Sequence, residues 1–127
     1  MKKILVLLFS ILVSINSYGD WKWIGDSVNR DDYYIDFEKI KKVDGYKYYW
    51  FLTDLLKPDE YVDFSYISYV QGDCKLSRYM FLSEFYYNQP MGKGKVTTNN
   101  RENPQWSYPP PDSMNEHLLE EVCDYVN

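Results

Sequence analysis

The sequence predicts an α+β fold: an antiparallel β-sheet of about six strands with one C-terminal α-helix packed on one face and tied to it by a disulfide. Three observations predict it. Pro109-Pro110-Pro111 breaks the chain before Ser113 and Glu116, which stand at capping-box spacing, so a helix begins near Met114. Its apolar face is Leu118, Leu119, Val122, Cys123 and Val126, with Asn115, Glu116, Glu120, Glu121 and Asp124 opposite. The preceding chain is rich in aromatic residues at period-two spacing and is punctuated by turn residues. The only cysteines, Cys74 in the strand-rich region and Cys123 on the helix's apolar stripe, then pair across the helix–sheet contact.

Met1-Lys2-Lys3 is a short basic head, and Ile4 to Ile15 is apolar except for Ser10 and Ser14. With Ser17 and Gly19 as the small residues a leader peptidase requires, residues 1–19 read as a cleaved secretory signal and 20–127 as a single domain. The chain is expected to be exported, and periplasmic or secreted after cleavage. No cysteine stands at the cleavage site for a lipid anchor, and no later stretch is apolar enough for a membrane span. Losing Lys2 and Lys3 takes the formal net charge from −5 to −7, which argues against nucleic acid as a partner. An oxidising compartment makes the disulfide the default. Closing a loop of about 50 residues contributes about 4 kcal/mol in the chain-entropy picture.

Asp20 to Gly25 predicts a short edge strand, with Trp21 and Trp23 on one face. Asp26–Asp32 is a polar loop, without the ligand periodicity and central glycine of a calcium site, and Tyr33 to Asp36 is a second strand. Phe37–Lys42 is a polar connector anchored by Ile40, and Asp44-Gly45 signals a hairpin turn. Tyr46 to Leu56 has apolar residues on both faces, Tyr48, Trp50 and Leu52 against Tyr49, Phe51 and Leu55, which predicts a central strand. From Ser65 to Cys74 the face holding Ser68, Val70, Gly72 and Cys74, which Tyr66 shares, carries the small side chains that a closely docked helix requires, with Ile67, Tyr69 and Gln71 on the other face. Lys75 to Tyr87 predicts the next strand, with Leu76, Met80 and Leu82 against Tyr79, Phe81 and Phe85. Asn88–Lys95 is a turn, Val96–Thr98 a last short strand, and Trp106 an aromatic brought toward the core.

Chemistry-bearing patterns are few. His117 is the only histidine and reads as a half-exposed structural residue beside the helix stripe. Gly92-Lys93-Gly94-Lys95 lacks the spacing of a phosphate loop and leads into a strand. No catalytic constellation, metal set or cofactor motif is read. The 14 tyrosines and 4 tryptophans exceed what a small core absorbs. They read either as a binding surface or as ordinary sheet composition. The candidate binding residues are Tyr86, Tyr87, Lys93 and Lys95.

Tyr33-Tyr34-Ile35-Asp36 with Ile40, Tyr49 to Asp54 after the Asp-Gly turn, Asp73-Cys74-Lys75 with Arg78-Tyr79, Pro90 to Gly94, Trp106, Pro111-Asp112-Ser113 and Val122-Cys123 together resemble the surface-adhesin protein E family of Gram-negative bacteria. The resemblance covers nearly the whole domain. It implies the same sheet, helix and disulfide, and a non-enzymatic role in binding host matrix proteins and plasminogen, with a homodimer as one form. The missing lipobox cysteine departs from an anchored adhesin. Three expectations follow: a soluble exported module binding a protein or small ligand through an aromatic-rich surface, a true surface adhesin, or a small envelope enzyme or inhibitor.

Overall fold

The computed structural model describes residues 19–126, so the leader expected over 1–19 lies outside it apart from Gly19. One antiparallel sheet contains β1 (Lys22–Asp26), β2 (Asp32–Ile35), β3 (Lys41–Val43), β4 (Tyr46–Asp54), β5 (Ser65–Asp73), β6 (Arg78–Gln89) and β7 (Lys93–Asn100); helix α1 (Met114–Asp124) follows. The order across the sheet is β1-β2-β4-β5-β6-β7. β2 and β3 pair with opposite ends of β4 along one edge, separated by a 3-10 turn over Phe37–Lys39. Strand β4 is central because both its faces are apolar, and it is there that Tyr49, Phe51 and Leu52 are buried. The Asp44-Gly45 turn joins β3 to β4 with φ of 52° and 84°, the left-handed pair that a tight hairpin demands.

Helix α1 starts where its caps place it. Ser113 Oγ accepts from the Glu116 amide at 3.2 Å, and Glu116 Oε1 accepts from the Asp112 amide at 3.1 Å. Leu118, Leu119 and Val122 are buried against Ile35, Tyr49, Phe51, Val70 and Tyr79. Val126, expected on the same stripe, lies beyond the helix end and is 92% exposed, because the last turn stops at Asp124. Gly72 lies directly beneath the helix, where an added β-carbon would stand 2.9 Å from Leu119 Cδ1. The Cys74–Cys123 disulfide joins β5's end to the helix across a Cα distance of 5.7 Å. Three carboxylates sit near the helix C-terminus, and the compensating cation comes from the sheet. Lys47 Nζ donates to the carbonyls of Val122, Cys123 and Tyr125 at 3.0, 3.2 and 2.7 Å.

Two expectations are corrected in β6. The strand starts at Arg78, since residues 74–77 form the turn from β5 and leave Leu76 exposed. A bulge also changes its phase: Tyr69 faces Ser83 but Val70 faces Phe81, so Leu82 is extra. Tyr79 and Phe81 therefore point to the helix, whereas Phe85 lies on the other face against Trp50. Trp106 likewise packs away from α1, against Tyr46 at 5.5 Å and beneath the Arg78 guanidinium at 4.2 Å.

Candidate functional site

The sheet face opposite α1 is open between the turn at Pro90–Gly92 and Trp106. Cross-strand pairing sets Trp50 beside Tyr69, and Leu52 beside Ile67 and Phe85. The Trp50 and Tyr69 rings stack at 4.4 Å, with Phe85 at 5.9 Å from Trp50 and Tyr48 at 6.1 Å from Tyr69. All four remain half-buried. One end of this platform deepens into a groove of about 1170 Å³ whose aromatic lining is Trp21, Trp50, Phe85 and Tyr87. Its charged lining residues are Lys39 and Lys93, and no carboxylate lines it. In an acidic chain that is a local reversal of sign, suited to a ligand with a planar or apolar body and negative charge.

A buried polar network fixes the groove's end wall. Ser65 Oγ donates to the Gln89 carbonyl at 2.7 Å and accepts from the Gly92 amide at 2.8 Å. Asp54 Oδ1 accepts from the Met91 amide at 2.8 Å, holding that residue in the left-handed region. Gly92 rests on Ile67, where a β-carbon would stand 2.8 Å from Ile67 Cδ1. Lys93 leaves this turn as the first residue of β7.

A second cavity, of about 730 Å³, occupies the end of the helix-bearing face that α1 does not cover, and Asp59, Asp63, Glu84, Tyr61, Tyr66 and Tyr86 line it. Burial opposes ionisation of Asp59, but hydrogen bonds from the Tyr66 hydroxyl and from the Asp63 and Tyr61 amides outweigh it and hold the carboxyl below its ordinary range. Asp63 is pushed up, first by burial and then by Asp59. Burial, then the Asp59 hydrogen bond and charge, drives the Tyr66 phenol far up. Glu84 accepts from the Tyr86 hydroxyl and, at 3.1 Å, from Arg101.

The four candidate binding residues are not one cluster. Tyr87 and Lys93 meet in the groove, whereas Tyr86 points to the opposite face and into the acidic cavity. Lys95 is exposed on β7, its amide bonded to Asn88 Oδ1 at 2.9 Å. Trp21, Lys39, Trp50 and Phe85, which complete the groove, were outside the candidate set. The signal that finds Trp50 is the face of β4 opposite the Cys74 face, Tyr48-x-Trp50-x-Leu52, taken as a surface in its own right. His117 Nε2 lies 3.4 Å from the Ile24 carbonyl, on the β1 side of the helix. Among the described residues no group of three His, Cys, Asp or Glu side chains is placed to hold a metal ion, and no helix is long and apolar enough to cross a membrane.

A single antiparallel sheet, a helix stapled to one face and an aromatic groove on the other define a small disulfide-bonded domain whose prominent features are surfaces for contact. Residues 21–124 match the model of the family described as surface-adhesin protein E, and the chain belongs to that family. Crystal form II of Haemophilus influenzae protein E superposes with a TM-score of 0.64 at 16% identity, over 85% of this chain and 90% of that one. Protein E from non-typeable Haemophilus influenzae superposes with a TM-score of 0.63 at 18% identity, over 85% of this chain and 78% of that one. At such identities these likenesses carry the fold. No curated protein matches the chain in sequence.

Proposed function

We propose that this is an exported, non-enzymatic binding protein, soluble once residues 1–19 are removed, that holds a protein or small ligand on the helix-free face of its sheet. The observation that carries the reading is the half-buried Trp50–Tyr69 stack leading into a groove with two lysines and no carboxylate. Stacked aromatic rings bury large area at low entropic cost, and the lysines favour an acidic contact. The test is binding of a chain beginning at Asp20 to immobilised matrix proteins and plasminogen, beside Lys93→Glu and Tyr87→Ala. Binding weakened about tenfold or more by either change, with unaltered melting, supports the reading; binding unaffected by both refutes it.

The family match favours a second reading, a surface adhesin for host proteins. Fractionation separates the two. Protein confined to osmotic-shock fluid and absent from intact cells contradicts the adhesin reading, whereas labelling on intact cells contradicts the soluble one.

A further inference from the structure

Asp36 is a buried carboxylate with too few partners. It is 1% exposed, and its Oδ1 has no hydrogen-bond partner among the described residues. Its Oδ2 accepts from the Asp20 amide at 3.2 Å and lies 3.8 Å from Lys39 Nζ, on a side chain that is 57% exposed. A buried carboxylate normally gathers several donors or a close cation, whereas Asp36 has one peptide N–H and, at the far edge of ion-pair distance, a largely exposed lysine.

The donor is the nitrogen of the residue that follows the expected leader cleavage site. We infer that hydrolysis of the Gly19–Asp20 bond completes this site: the new α-ammonium of Asp20 is the partner of the Asp36 carboxylate. The inference rests on reading residues 1–19 as a leader. A leader peptidase and water supply the step. The C–N bond breaks, the water oxygen joins the Gly19 carboxylate, and the Asp20 nitrogen leaves as an amine that is protonated at neutral pH. One donor without charge becomes three donors with a positive charge, beside a carboxylate oxygen that has none.

The packing agrees. A β-carbon at Gly19 would stand 3.1 Å from Asp36 Oδ2 and 3.2 Å from the Trp21 ring, so residue 19 is closely packed against the carboxylate, and its departure opens room there. The surrounding charges favour the ammonium. Asp20, Glu38, Glu121 and Asp124 line the adjoining cleft with Lys22 and Tyr125, and Lys22 Nζ lies 3.7 Å from Asp20 Oδ1. Lys39, on the turn that Asp36 starts, is the cation that competes. Because Gly19 and Trp21 also line the aromatic groove, processing sets one wall of the proposed binding surface.

The test begins with mass spectrometry of the exported protein, which should start at Asp20. Chains beginning at Asp20 are then compared with the amine free and with it acetylated, each with Asp36 and with Asp36→Asn. The free amine should titrate at least about one unit above its ordinary range of about 7.7–8.0, a tenfold shift in its protonation equilibrium. A raised amine pKa means that the extra stability is full below the unfolded value and disappears as pH rises through the folded one, so the free and acetylated forms should melt differently at neutral pH and converge in alkali. Asp36→Asn should erase the difference. If that variant does not fold, the acetylation pair and the amine titration on the Asp36 chain decide. Another first residue, equal melting of the two forms, an unshifted amine, or a difference that persists in Asp36→Asn overturns the inference.

Discussion

Gly72→Ala tests how closely α1 is seated on the sheet. An ideal β-carbon there would stand 2.9 Å from Leu119 Cδ1, 3.1 Å from Tyr49 Cε1 and 3.4 Å from the Lys47 carbonyl oxygen. The carbonyl belongs to the central strand and Tyr49 is buried, so neither can retreat, and the Leu119 methyl has to move within an occupied core. Overpacking of this kind costs about 1–3 kcal/mol. Gly72 is not one of the left-handed glycines, so alanine also recovers about 0.5–1 kcal/mol of strand backbone entropy. The net expectation is a destabilisation of about 1–2 kcal/mol, or a urea midpoint lowered by about 1 M for a protein of this size. Leu119→Ala alone should cost about 2–5 kcal/mol by leaving a cavity. In the double variant the alanine at 72 fills part of that cavity, so the two costs should fall short of additivity by about 1 kcal/mol. Urea unfolding with the disulfide intact measures all three. A Gly72→Ala protein as stable as the parent, or strict additivity with Leu119→Ala, would refute the close docking of helix on strand.

Leu118→Asp should destabilise by about 3 kcal/mol or more, since Leu118 is buried, while Glu120→Ala on the exposed face should stay within about 0.5 kcal/mol; equal melting temperatures would show the helix face to be misassigned. Lys47→Met keeps the apolar stem but removes three donors from the helix end, and a loss of about 1.5–3 kcal/mol in chemical denaturation is expected, with no loss arguing that those carbonyls are solvated instead. Reduction of Cys74–Cys123 should release α1 before the sheet, because its 11 residues are too few for a stable isolated helix; hydrogen exchange that accelerates equally in α1 and β4 would contradict this. The Arg78 hydrogen bond, opposed by burial and helped by the Leu76 and Lys75 amides, holds the Asp73 carboxyl below its ordinary value. Its contribution is therefore present above the unfolded pKa of about 3.9 and is lost as pH falls through the lower folded value. Acid unfolding of Asp73→Asn should be less steep below about pH 4 than that of the parent, and superimposable profiles would reject the assignment.

Local signals located the helix and the strands that have a buried face. The capping box, the three prolines and the Leu118–Val122 stripe act within a few residues of one another, and the small face of β5 states what must lie upon it. What escaped depends on partners distant in sequence or on phase. All three residues of β3 are exposed, so it carries no apolar alternation, and it exists because β4 offers an edge there. The Leu82 bulge reverses the parity of β6 without any glycine to mark it, and it moves Phe85 from the core face to the groove. Nothing local to Lys47 marks it as a helix cap. It caps a helix end 75 residues further along, whose own last turn has no basic residue.

The same parity decides what the aromatic composition means. Tyr86 and Tyr87 are neighbours in sequence and so must face opposite sides of β6. The first joins the carboxylates of the acidic cavity, and the second joins Lys93 beneath an aromatic platform. A sheet rich in tyrosine and a tyrosine-rich binding surface are therefore distinguished by sides of the sheet: Tyr49 and Tyr79 are buried under α1, while Tyr48 and Tyr69 flank Trp50 on the open side. The groove itself draws Trp21, Lys39, Trp50, Phe85 and Lys93 from separate segments, joined only by sheet order and by the Ser65 and Asp54 bonds that fold residues 90–92 back over Ile67. Its positive sign follows from that convergence, since Lys39 and Lys93 come from separate segments of a protein whose overall charge is negative. A partner that reads this face would meet two cations and a row of rings, and one that reads the other face would meet carboxylates, so reversing the charge of Lys93 and of Glu84 should affect different ligands.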